Sequence, residues 1–186
     1  MITAGVDEVG RGCLAGPVVS AAVILKKNIN LKLLKDSKKI TFNKREEVSE
    51  HIKKNSYYAI GVASVEEILN LNILQASLLS MKRAIKRLGV KPGLTLIDGN
   101  FAPKGLKNYK TIINGDKKIK VISAASIIAK VYRDKFMIKL SEKFSNYAWE
   151  RNFGYGTKAH LEGLKKFGVT THHRKGFKPV HKILSS

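Results

Sequence analysis

Two short apolar runs near the start of the chain constrain its fold more than any later segment. Ile2 to Val9 and Pro17 to Leu25 are rich in small and β-branched residues, and the eight residues Gly10 to Pro17 hold three glycines and a proline. That spacing predicts a hairpin with a broad loop. After a basic connection, Thr41 can cap a helix running to about Lys54, with Val48 and Ile52 on its apolar side. Ser56 to Ala63 alternates as a third strand. Ser64-Val65-Glu66-Glu67 fits a capping box, so one long helix should start there. It would carry Ile68, Leu71, Leu74, Leu78, Met81 and Ile85 on one face and close at Gly89. Leu94 to Asp98 and Tyr109 to Ile113 read as two more strands. Val121, Ala125, Ile128, Tyr132, Phe136 and Leu140 mark one face of a helix reaching about Phe144. A last helix runs from Thr157 to Gly168, leaving a basic tail to Ser186. The order β-β-(α)-β-α-β-β-α predicts an α/β protein with a central mixed five-stranded sheet flanked by helices. No repeat or linker divides the 186 residues, so a single domain is expected, with about 145–186 as a helical C-terminal extension.

Asp7, Glu8, Asp98 and Asp116 share a context: each stands where an apolar β segment runs out beside glycine. If those strands are neighbours, the acids gather in space. Carboxylates at close range cannot all stay ionised without a cation, and oxygen-only ligation suits Mg²⁺ or Mn²⁺ with waters and phosphate oxygens. Successive residues of a regular strand face opposite ways, so for both Asp7 and Glu8 to reach one site the strand should bulge or end there. Asp98-Gly99 and Asn114-Gly115-Asp116 are also ordinary turn signatures. Asp134 competes as a fourth acid, although its mid-helix setting between Arg133 and Lys135 predicts a solvated face.

The formal net charge of +21 predicts a polyanionic partner, nucleic acid before membrane. Cys13 is the only cysteine, which excludes an internal disulfide and a cysteine-built zinc site. No apolar run approaches the roughly 20 residues of a membrane span, and Met1-Ile2-Thr3 leaves no room for a signal peptide before Asp7; cytoplasmic residence is expected. His172 and His173 read as solvent or phosphate contacts, Tyr147 and Trp149 as packing for the extension, and Cys13 as a small apolar filler.

"DEVGRGCLAGPVV" at 7–19 resembles the signature of the type 2 ribonucleases H, specifically the bacterial ribonuclease HII family. "LKDSKKIT" at 34–41, "NILQASLLSMKRA" at 72–84, "LIDGN" at 96–100, "NGDKKIKVISAASIIAKVYRD" at 114–134 and "GYGTKAHLEGLKKFGVT" at 154–170 resemble it too, in order. The resemblance implies an RNase H-like fold and four metal-binding acids at the positions of Asp7, Glu8, Asp98 and Asp116, which favours Asp116 over Asp134. It further implies that Gly10-Arg11-Gly12 and Tyr155 recognise the ribonucleotide at an RNA-to-DNA junction. The turn's backbone would read the 2′-hydroxyl while the tyrosine stacks under the next sugar. Cys13 stands where the family usually has Pro, and Gly176 where it usually has Ser.

The expected activity is hydrolysis of the phosphodiester 5′ to a ribonucleotide, in RNA/DNA hybrids and in duplex DNA containing ribonucleotides, leaving 3′-hydroxyl and 5′-phosphate ends. Two Mn²⁺ or Mg²⁺ ions would serve, about 3.5–4 Å apart, with Asp7 bridging. Lys38, Lys39, Arg45, Lys158 and Arg174 are expected as clamps on the nucleic-acid backbone. The family implies a monomer. The alternatives are a non-catalytic basic RNA-binding protein and a nucleotide-binding module. "GRGCLAG" lacks the spacing of a dinucleotide loop and no Gly-Lys-Ser/Thr follows, which weighs against the latter.

Overall fold

β1 (Thr3–Val9) and β2 (Val18–Leu25) form the hairpin that the opening residues predict, in antiparallel register from Gly5↔Val23 to Val9↔Val19. The structure is a computed structural model that describes residues 1–27, 29–30, 34 and 41–186. β3 (Ser56–Ala63) adds antiparallel to β2, while β4 (Leu94–Asp98) pairs parallel to β1 and β5 (Tyr109–Ile112) parallel to β4. The sheet order is β3-β2-β1-β4-β5, five strands of mixed direction. β1 and β2 are buried on both faces, which is why they read as continuous apolar runs rather than alternating ones.

Helices cover both faces. α1 (Phe42–Lys54) is capped by Thr41, whose hydroxyl accepts the Lys44 N–H. It packs with α5 (Lys120–Ser141) over Val19, Ala21 and Val23. On the other face α3 (Ile73–Arg87) places Met81 and Ala84 against Val6, Ala22 and Ile97. Two glycines set these approaches: a Cβ on Gly5 would overlap the Val121 backbone of α5, and one on Gly61 the Ser80 carbonyl of α3.

Two helical expectations change. The long helix after the capping box is broken, giving α2 (Val65–Leu71) and then α3, because Asn72 takes a φ of 70°. With ψ at 165° this backbone lies outside any helical region and ends α2, and the Asn72 side chain caps α3 by accepting the Gln75 N–H at 3.1 Å. In α5, Tyr132 and Phe136 face solvent, while Arg133, Asp134 and Met137 are buried. The helix is enclosed by the sheet, α1 and α6 (Trp149–Asn152), so its buried surface is no single apolar stripe. α4 (Gly115–Lys118) is one short turn ahead of it.

Beyond α5 the chain passes through a 3-10 turn (Ser145–Tyr147), α6, α7 (Lys158–Phe167) and α8 (Lys178–Leu184), the last formed from the basic tail. These elements close around the loop between β1 and β2: Ala15 packs with Met137, Tyr147 and Trp149, and Leu14 with Leu164 and Val180. Backbone bonds from Leu14 to the Gly154 carbonyl, Gly16 to that of His172 and Arg174 to that of Leu14 stitch loop and extension together.

Candidate active site

A cleft of about 420 Å³ opens at the ends of β1 and β4, and Asp7, Glu8, Asp98 and Asp116 all line it. β1 neither bulges nor ends at Asp7-Glu8, contrary to the expectation; its pairing with β2 runs in register through Val9. The two acids therefore leave opposite faces of the strand. Asp7 points with Gly5 toward α5, where its carboxylate meets Ser126, and Glu8 lies opposite Ser20, whose hydroxyl bonds Ser80 of α3. Both still line the cleft. The parallel pairing with β4 stops at Val6↔Ile97, so the last residues of β1 have an open edge on that side.

Asp98 closes β4, and its Oδ1 accepts the N–H groups of Gly115 at 2.6 Å and Asp116 at 3.3 Å. Those donors start α4 because Asn114, at φ 54°, turns the chain into it, and the same turn brings Asp116 to the cleft.

Burial holds the Asp7 carboxyl well above its ordinary value of 3.8, the charges of Glu8 and Asp98 push the same way, and the Ser126 hydrogen bond opposes them. Glu8 is also raised, first by burial and then by Asp98, against the pull of Arg11, whose Nη1 lies 3.4 Å from its Oε1. Glu8 Oε2 is buried, with no hydrogen-bond partner among the described residues. A cation would satisfy that oxygen and relieve the mutual repulsion, so this donor set fits a hard divalent ion. Among the described residues no three His, Cys, Asp or Glu side chains converge as a ready-made cage. Mg²⁺ and Mn²⁺ sites need only one or two carboxylates with water and phosphate oxygens completing the shell.

Beside the acids, Gly10, Arg11 and Gly12 line the cleft as the first residues of the loop. Gly10 has φ +92°, and a Cβ there would strike the Arg133 guanidinium, so only glycine fits. Tyr155 completes the wall, its ring exposed and its hydroxyl pushed up to about 12 by burial and by Cys13. Cys13 itself is fully buried beside Leu14.

The expected clamps separate. Arg45 lines the cleft, 4.0 Å from Asp134. Lys158 is exposed on α7, 3.9 Å from Glu162 and outside the cleft lining. Lys38 and Lys39 lie outside the described residues. Arg174 does not present a surface cation: it is 1% exposed and its guanidinium donates to the carbonyls of Gly16, Arg11 and Pro17. Gly176 is exposed near Leu69.

Asp134 and His173 also depart from their expected solvent exposure. Asp134 is fully buried and takes a 2.7 Å ion pair from Lys130, one helical turn earlier. His173 is fully buried because Thr170 donates to its Nδ1 and its Nε2 meets His160 Nε2 at 3.0 Å.

Sequence reading missed Ser126, Lys130 and Arg133. Ser126 and Lys130 line the cleft, and the Lys130 ammonium sits over the rings of Phe153 and Tyr155 at 4.7 and 5.9 Å. Arg133 donates to Pro17, Phe153 and Ala15 carbonyls. The i, i+4 spacing of Ser126, Lys130 and Asp134 was the available signal for a shared polar face within an otherwise apolar helix.

The chain superposes on the crystal structure of ribonuclease H2 from Pyrococcus horikoshii OT3 with a TM-score of 0.83 at 30% identity, over 100% of this chain and 98% of that one. Sheet order, flanking helices and this likeness define an RNase H-like α/β nuclease fold. The model of the ribonuclease HII family matches residues 4–180. The chain is 62% identical over 185 residues to ribonuclease HII of Pelagibacter ubique (strain HTCC1062), spanning 98% of this chain and 99% of the relative. It is 51% identical over 182 residues to that of Ruegeria pomeroyi, spanning 97% and 78%. The chain belongs to the ribonuclease HII family, a family of ribonuclease H nucleases.

Proposed function

We propose that this protein hydrolyses the phosphodiester 5′ to a ribonucleotide, in RNA/DNA hybrids and at single ribonucleotides embedded in duplex DNA, leaving 3′-hydroxyl and 5′-phosphate ends. The observation that carries this reading is one cleft in which Asp7, Glu8, Asp98 and Asp116 stand beside the Gly10-Arg11-Gly12 turn and Tyr155. Two Mn²⁺ or Mg²⁺ ions, held by the four acids, would activate water and stabilise the departing 3′ oxygen.

The chain's own residues prepare that chemistry. Ser126 bonds Asp7, and the N–H groups of Gly115 and Asp116 fix Asp98. The turn offers backbone groups in the same cleft as the acids, and a 2′-hydroxyl bound there is what distinguishes RNA from DNA. Tyr155 stays protonated at neutral pH, so its ring can stack under a sugar without carrying charge toward phosphate. Arg45 and Lys130 place positive charge on the cleft wall, and Lys158 adds it outside. The proposed setting is a cytoplasmic monomer acting in ribonucleotide excision repair. No described helix is long and apolar enough to cross a membrane.

The test is a cleavage map on end-labelled duplexes carrying one or four ribonucleotides, with Mg²⁺ or Mn²⁺. Cuts 5′ to a ribonucleotide with 3′-hydroxyl ends are expected. An uncut duplex at enzyme excess in both metals would leave only nucleic-acid binding.

A further inference from the structure

The chain buries two arginines, Arg133 and Arg174, behind the loop that joins β1 and β2. Among the described residues neither is ion-paired to a carboxylate; together they donate to loop and extension carbonyls at 2.7–3.2 Å. A buried charge without a counter-ion is costly, and here carbonyl dipoles compensate it. Burial lowers Arg174 only to about 10, so it is charged at neutral pH.

Its contacts are not equivalent. Nε and Nη2 hold Gly16 and Pro17 at the far end of the loop, while Nη1 donates to the Arg11 carbonyl at 2.9 Å. That carbonyl shares a peptide unit with the Gly12 N–H. No peptide in the described chain is cis, so carbonyl and N–H of this unit point in opposite directions. With the carbonyl turned back to Arg174, the N–H faces away from it. Gly12 is exposed and lines the cleft, and among the described residues no backbone carbonyl accepts its N–H. A cation on the carbonyl polarises the unit and strengthens the N–H as a donor.

We propose that Arg174 is a positioning residue for ribonucleotide recognition: it orients and polarises the Arg11–Gly12 peptide so that the Gly12 N–H is presented to a substrate sugar oxygen. This rests on the proposed reading of the turn. It gives the C-terminal extension a share in specificity, because Arg174 lies 163 residues from the carbonyl it holds. The ring of Phe177, 5.1 Å from the guanidinium carbon, packs against Arg174.

The test compares dissociation constants, by fluorescence anisotropy in Ca²⁺ with gels showing the duplex intact, for an all-DNA duplex and the same duplex with one ribonucleotide. Their ratio does not depend on the fraction of folded protein, so partial unfolding alone cannot move it. Arg174→Met should reduce the ratio about tenfold with all-DNA affinity nearly unchanged, and Arg174→Lys should recover part of it. If Arg174→Met does not fold, Arg174→Lys alone decides, with a several-fold reduction expected. An unchanged ratio in a folded variant, including equal weakening toward both duplexes, overturns the proposal while leaving the reading of the turn intact. A wild-type ratio of one overturns both.

Discussion

Asp7 shows how a residue's chemistry is decided by neighbours that its position in the sequence only hints at. Its folded pKa is raised, so the native state holds its proton more tightly than the unfolded chain does. Stability from this group is full below the ordinary 3.8 and is lost as pH rises through the raised value. Asp7→Asn removes that penalty. It should raise the thermal midpoint at neutral pH in EDTA, measured by circular dichroism, while cutting turnover by at least about a hundredfold. A variant with wild-type turnover would exclude Asp7 from the reacting centre. Tyr155 separates differently: Tyr155→Phe keeps the ring and should lose little, whereas Tyr155→Ala should reduce single-ribonucleotide cleavage more than hybrid cleavage in parallel steady-state assays. Asp98 was legible as a strand-end acid beside glycine, and Asp7 and Glu8 as acids close to the end of an apolar strand that in fact runs on to Val9. Asp134 was not legible as buried: Lys130 beside it is a local i, i+4 partner, but Arg45 and the enclosing layers that shield it come from tertiary packing.

At the scale of elements, close contacts between helix and sheet decide whether the site assembles. Gly5→Ala would drive a Cβ into the Val121 backbone, and the same helix carries Ser126 to Asp7. The substitution should cost about 1–3 kcal/mol in urea denaturation and lower activity in the remaining folded protein, since α5 must shift. The extension has its own titration. His173 is held at about 3, far below its usual 6.5, by burial and by His160 and His172. The unfolded chain binds more protons between those values, so stability should fall as pH drops from 6.5 toward 3. Melting curves between pH 7 and 4.5 should show a falling midpoint, with a shallower slope in His173→Asn. The elements themselves were mostly legible, because strands and helices follow local periodicity and capping. The break at Asn72 was not, since the 3.6-residue repeat continues across it and only the backbone turn reveals it.

For the whole molecule the net charge of +21 predicts salt-dependent binding to a polyanion. If about five phosphates are neutralised, the log of duplex affinity should fall against the log of salt with a slope near −4 to −5, read by anisotropy titration from 50 to 200 mM. A flat response would remove electrostatics as the source of affinity. The sequence by itself determined the strands, most helices, the glycine turn and the acids at strand ends, because each is a local pattern of burial, charge and backbone freedom. Tertiary structure alone decided that the four acids share one cleft, that Arg174 serves the loop rather than the surface, and that Asp134 and His173 are buried. Those outcomes depend on contacts between residues far apart in the chain, and for such contacts charge and hydropathy in one dimension carry no sign.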